Sequence, residues 1–107
     1  TNDWYPGMPL HVGDADITAL AARGCRAFHE YTPTREFAAD RGRIYRKIAY
    51  GPHLDVFMLD MRSYRGPNGD GKQDTYSSAA HSLGPAQVAW LKHELGRSRA
   101  TWKVIAA

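Results

Sequence analysis

The chain has 107 residues, 43% of them apolar, enough for one domain with a core and too few for two. Its formal charge of +3 favours anionic partners without separating a phosphate ester from a nucleic acid. A single cysteine, Cys25, excludes an intrachain disulfide and a cysteine-built zinc site, and no apolar run approaches the roughly 20 residues of a membrane span.

The sequence opens on Thr1-Asn2-Asp3-Trp4-Tyr5 without an initiator methionine and closes on an apolar run, Val104-Ile105-Ala106-Ala107, without a polar tail. Both ends read as cut. A strand at a terminus leaves backbone groups unpaired unless a neighbour covers them, so the expectation is an internal segment of a longer protein.

Ile17, Leu20, Ala21, Gly24, Cys25, Phe28 and Tyr31 recur at helical spacing, which predicts an amphipathic helix over 15–31 capped by Asp14 or Asp16 and ended by Pro33. Residues 43–50 alternate with a period of two. A Gly51-Pro52-His53 turn then leads into a nearly continuous apolar run within 54–60, so the two segments predict an antiparallel hairpin. The second strand reads as covered on both faces and the first as an outer strand. Residues 62–82 are polar and long for a plain connection, a length often associated with function. Pro85 starts a second helix whose stripe of Val88, Leu91 and Leu95 ends at Gly96, and a last strand centres on Val104. Strand, helix and strand make a βαβ-like unit with parallel neighbours. The predicted class is α/β, with α+β as the alternative.

In an open α/β sheet, ligands gather beyond the carboxyl ends of the strands, where Asp60, Arg62 and Arg65 leave the apolar run. Two guanidinium groups there could present fixed forks of donors to a phosphoryl group, with Asp60 orienting one of them or reaching a metal. The competing reading, which weighs more on the residues alone, is an Asp–Arg pair pinning the loop to the helix layer. Asn68 to Asp74 has calcium-like alternation, but Lys72 and Ala79 stand where oxygen ligands belong, which favours a solvated turn. The five histidines lack paired metal spacing and read as surface or capping residues; Cys25 reads as a small buried hydrophobe, and Trp4, Trp90 and Trp102 as packing residues. A second function class stays open: the basic segment 41–47, with Tyr45 and Tyr50, could bind an anionic polymer without catalysis if its arginines face solvent.

Several phrases in one order resemble a known family. Thr1-Asn2-Asp3-Trp4-Tyr5-Pro6-Gly7, Ala27-Phe28-His29-Glu30-Tyr31-Thr32-Pro33 and the 43–52 strand resemble consecutive segments of the alkaline phosphatase D-like (PhoD-like) metallophosphoesterases. So do Val56 to Arg65, similar to the family's Leu-Asp-x-Arg-x-Tyr-Arg strand and loop, and Leu83-Gly84 with Gln87, Trp90 and Leu91, similar to its Leu-Gly-x-x-Gln-x-x-Trp-Leu helix. The resemblance implies that residues 1–107 are an internal segment of one catalytic domain, a fold of stacked sheets flanked by helices. It implies a metal-dependent phosphomonoesterase or phosphodiesterase, periplasmic or secreted, with calcium and iron as metals and a phosphate ester as substrate; nucleic acid is not expected. The family's Asp-Asp-His-Glu metal motif would end just before Thr1, so the ligands are expected mainly outside this chain and none is assigned within it. Asp60, Arg62 and Arg65 take catalytic roles in this reading, and Arg62, Arg65 and Asn2 face the substrate.

Overall fold

The computed structural model describes residues 3–9, 16–69 and 72–107, and the chain divides into two compact units. One unit holds residues 7–43 and the other residues 1–6 with 44–107.

Helix α1, Ile17–Tyr31, dominates the smaller unit. Asp16 is its N-cap: the carboxylate accepts from the Thr18 N–H at 2.9 Å and satisfies one of the donors a helix start leaves open. Asp14 lies outside the described residues. The chain leaves the helix at Thr32, whose N–H still reaches the Phe28 carbonyl at 2.9 Å. The predicted apolar stripe is only partly covered: Ile17, Ala21, Cys25 and Phe28 are half-buried, whereas Leu20 and Tyr31 are 47% and 88% exposed. Cys25 is accordingly half-buried, with its thiol on the Gly42 carbonyl at 3.4 Å. His29 is not a surface residue, for both ring nitrogens are shielded from water. Arg43 lies over the Phe37 ring at 3.8 Å, a cation–π contact that closes the segment after the helix.

The larger unit is a three-stranded sheet with one helix across it. Strands β1 (Arg46–Tyr50) and β2 (Leu54–Met58) form the antiparallel hairpin, and β3 (Trp102–Ala106) joins β2 in parallel, giving the order β1-β2-β3. Gly51, at φ 67°, supplies the left-handed backbone that the hairpin turn needs. Helix α2, Pro85–Arg97, lies in the crossover between the parallel strands. Both strands of the hairpin are shorter than the sequence suggests: pairing begins at Arg46, not 43, and ends at Met58, not 60, because Leu59 and Asp60 already bend out of the ladder with β1.

Helix α2 rests on the sheet face that carries Lys47, Asp55 and Phe57. Phe57 is fully buried there, and Ser98, the residue that ends α2, donates its hydroxyl to Asp55 Oδ2 at 2.6 Å. Lys47 bridges the same carboxylate at 3.5 Å and Glu94 of α2 at 3.6 Å. The opposite face is partly open among the described residues. Ile48 and Tyr50 of β1 and Trp102 and Val104 of β3 are 39%, 75%, 68% and 46% exposed, which corrects the expectation that Trp102 is a packing residue, whereas β2's own side chains there, Leu54, Val56 and Met58, are half-buried. One helix lies over one face, and the side chains that alternate away from it are at least partly exposed, except Arg46 at the start of β1, which is buried. Trp90 does pack: its ring lies 4.8 Å from that of the buried Tyr45.

The Ser98 hydroxyl lowers the Asp55 pKa below the usual carboxylate range; burial opposes this, while Lys47 and Lys103 add to it. A carboxyl depressed in the folded state stabilises the fold fully above its unfolded pKa, about 3.9, and loses that contribution as pH falls through the lower folded value. Replacing Asp55 by Asn is therefore expected to lower the urea unfolding midpoint at neutral pH. The gap to the unsubstituted protein should narrow as acid protonates Asp55, and a gap that stays constant from neutral to acid pH would contradict this assignment.

Candidate functional site

Where β2 leaves the sheet, its backbone must replace the ladder partners it has lost. Leu59 still donates to the Ala106 carbonyl of β3 at 2.8 Å. Asp60 instead meets the side-chain amide of Gln87, a fully buried residue of α2. The Asp60 N–H donates to Gln87 Oε1 at 2.7 Å, and Gln87 Nε2 donates to the Asp60 carbonyl at 2.9 Å and to the Leu83 carbonyl at 2.9 Å. The amide thus acts as one peptide of a missing strand, with donor and acceptor side by side.

The Asp60 side chain then shapes the loop. It is buried, and Oδ1 accepts from the Arg62 and Ser63 N–H groups, each at 2.9 Å. The carboxylate grips backbone, not a guanidinium, so neither the Asp–Arg pin nor a direct orienting contact to an arginine side chain is present among the described residues. Its second oxygen, Oδ2, is buried without a hydrogen-bond partner.

Further along, the loop is wedged in place. Tyr64 packs edge-on against Tyr45 at 5.3 Å, and the Gly66 N–H donates to the His81 carbonyl at 2.7 Å. A Cβ at Gly66 would collide with the Ser78 carbonyl, and one at Gly84 would come within 2.7 Å of the Tyr64 carbonyl. Gly84 also has φ 73°, so a side chain there meets both a steric and a conformational obstacle. The turn against which the loop rests is a short 3-10 helix, η1, Ser78–Ala80, within the polar stretch 62–82.

Arg62 and Arg65 project from this loop in different surroundings. Arg62 is exposed, with Nη1 3.9 Å from Asp3 Oδ1, and Asn68 donates to the Asp3 carbonyl at 2.6 Å, so the loop and the segment from Asp3 are neighbours. Arg65 is half-buried and lines a cleft of about 200 Å³ with Gln73, His81 and Ser82. No hydrogen bond or ion pair engages its guanidinium among the described residues. Asn2, Asp70 and Gly71 lie outside the described residues. Among those described, no three His, Cys, Asp or Glu side chains gather to hold a metal ion, so they do not form a metal centre by themselves. No helix among them is long and apolar enough to cross a membrane.

The basic segment turns partly inward. Tyr45 and Arg46 are 6% and 5% exposed and Lys47 is engaged by Asp55 and Glu94, whereas Arg41 and Tyr50 are exposed, so the strand part of the segment does not present its arginine to solvent as a polymer-binding face requires. Gln87, by contrast, entered the sequence reading only within a motif, although a polar residue interrupting an apolar helix stripe is a signal that a buried backbone needs a partner.

A mixed α/β sheet with two guanidinium groups beyond the end of its central strand is an arrangement suited to gripping an oxyanion. The family described as PhoD-like phosphatase matches residues 1–107, and the chain belongs to that family. It is 32% identical over 94 residues to alkaline phosphatase D of Bacillus subtilis (strain 168), an alignment covering 79% of this chain and 16% of that protein. A solved structure described as "Structure of PhoD" superposes with a TM-score of 0.66 at 26% identity, over 97% of this chain and 22% of the other. The chain therefore spans about a fifth or less of the length of these relatives.

Replacing Gln87 by Ala leaves both backbone groups of Asp60 unpaired, each costing roughly 1–3 kcal/mol if water does not reach it. Asp60→Asn, which keeps an acceptor oxygen, is expected to unfold closer to the unsubstituted protein than Asp60→Ala does. Chemical denaturation checks both statements, and a Gln87→Ala protein of undiminished stability would contradict the bridging role.

Proposed function

We propose that this chain is a segment of the catalytic domain of a metal-dependent phosphoric ester hydrolase, acting on phosphomonoesters or phosphodiesters, with Arg62 and Arg65 facing the phosphoryl group. The observation that carries the reading is Arg65, a half-buried cation in a polar cleft, engaged by no acceptor among the described residues. A guanidinium so placed offers planar, paired donors to phosphoryl oxygens and can meet charge that develops on them during transfer. Asp60 acts at one remove: by holding the Arg62 and Ser63 amides it sets the course of the loop. Arg62, beside Asp3, supplies a second positive charge next to the segment that follows the family's metal motif in the resemblance.

The calcium and iron implied by the family belong to this proposal, with donors mainly outside this chain. The stacked-sheet architecture belongs to it too. An apolar sheet face as open as that of Ile48, Tyr50, Trp102 and Val104 fits a second layer supplied by further chain of the same protein. Export to the periplasm or medium completes the reading.

The test is hydrolysis of a chromogenic phosphate ester by the whole protein, before and after chelation and after return of calcium with iron. Activity that survives complete chelation would remove the metal requirement. Arg65→Ala is expected to lower kcat/KM by roughly 10²-fold, the scale of losing one transition-state donor, and Arg65→Lys to restore part of it. An Arg65→Ala protein with unchanged kcat/KM would overturn the assignment.

A further inference from the structure

The Arg65 cleft does not stand alone. A second cleft of about 450 Å³ is lined by Tyr76, Leu83, Pro85, Val88 and Lys92, and Ala80, His81 and Ser82 line both. The two differ in chemistry. The smaller one holds the Arg65 guanidinium, the Gln73 amide and the Ser82 hydroxyl, groups that suit a compact anion. The larger one is walled mostly by aliphatic carbon and one phenol ring, and its volume falls within the range of sites for small organic molecules, about 300–1,000 Å³.

Tyr76 is the exposed aromatic residue of this lining. The residue is 85% exposed, and its ring lies 5.2 Å from that of His81 at 50°. An aromatic side chain held on one side and bare on the other gains most when a flat apolar group covers it. His81 belongs to the wall common to both clefts, so a ligand laid across residues 80–82 would place its charged end by Arg65 and its organic end by Tyr76.

We propose that the larger cleft is the subsite for the alcohol portion of the phosphate ester, and that Tyr76 and Val88 select esters of apolar, above all aromatic, alcohols over small hydrophilic ones. The inference rests on the phosphoric ester hydrolase reading and deepens it. The subsite touches the part of the substrate that does not react, so it contributes equally to bound substrate and transition state and shows itself in KM.

The experiment compares benzyl phosphate with methyl phosphate, two alkyl esters differing chiefly in the group the subsite would hold. Both are assayed with the whole protein and with Tyr76→Ala, Tyr76→Phe and Val88→Ala. Tyr76→Ala is expected to raise KM for benzyl phosphate roughly tenfold, the scale of a lost apolar pocket contact, with kcat kept. The same change should leave kcat/KM for methyl phosphate unaltered, and Tyr76→Phe, which keeps the ring, should behave as the unsubstituted protein does. Hydrolysis of both esters with Tyr76→Ala affecting them equally, or neither, would overturn the subsite while leaving the hydrolase reading intact. Failure of the unsubstituted protein to hydrolyse either monoester would overturn the subsite, and failure also on dibenzyl and dimethyl phosphate would overturn the hydrolase reading with it.

Discussion

One primary amide bears the transition from sheet to loop. Beyond Met58 the paired part of β2 is over, yet Asp60 is still buried, so its N–H and carbonyl need partners that water cannot supply. Gln87 provides both from α2 and spends its remaining donor on the Leu83 carbonyl, near the start of the same helix. Glutamate could accept but not donate at this position, and leucine could do neither. The buried volume permits an apolar residue, but the hydrogen-bond requirement does not.

The loop inherits its course from that anchor. With the Asp60 backbone held, its carboxylate can reach forward to two amides, Tyr64 can turn into the aromatic cluster with Tyr45 and Trp90, and Gly66 can press against η1. Each contact is modest alone, about 1 kcal/mol for an ordinary hydrogen bond, but together they leave the backbone little choice between residues 60 and 66. Arg62 and Arg65 are placed by this constraint and not by ion pairs with Asp60. The scaffold holds backbone, while the Arg62 guanidinium lies 3.9 Å from the Asp3 carboxylate and Arg65 lines the smaller cleft.

Much of this arrangement is legible in the amino-acid order. The 3.6-residue spacing from Ile17 to Phe28 and the Pro85 start of α2 mark the helices, while the period-two run before Gly51 and the apolar run after it mark the hairpin and the parallel neighbour. These are periods set by backbone geometry, which local sequence expresses directly. Partnerships over long separations are less visible. Nothing local to Gln87 says that it will meet Asp60, and a carboxylate before two arginines suggests an ion pair more readily than a backbone turn. Exposure also escapes local patterning: Trp102 and Tyr45 are both large aromatics in or beside strands, but only Tyr45 has α2 and Tyr64 to cover it. Alternation in the basic segment likewise suggests an outer face, whereas Arg46 turns inward and Lys47 is drawn to the carboxylates of Asp55 and Glu94.

If Gln87 serves the site by placing Arg65, the two residues belong to one energetic unit despite having no contact of their own. A double-mutant cycle on kcat/KM for a phosphate ester, using the whole protein with Gln87→Ala, Arg65→Ala and both, reads that coupling directly. Strong non-additivity is expected, with Gln87→Ala costing much less activity once Arg65 is already gone. Equal losses from Gln87→Ala in the presence and absence of Arg65 would show that the amide stabilises the fold without positioning the guanidinium, and would contradict the link between this anchor and the site.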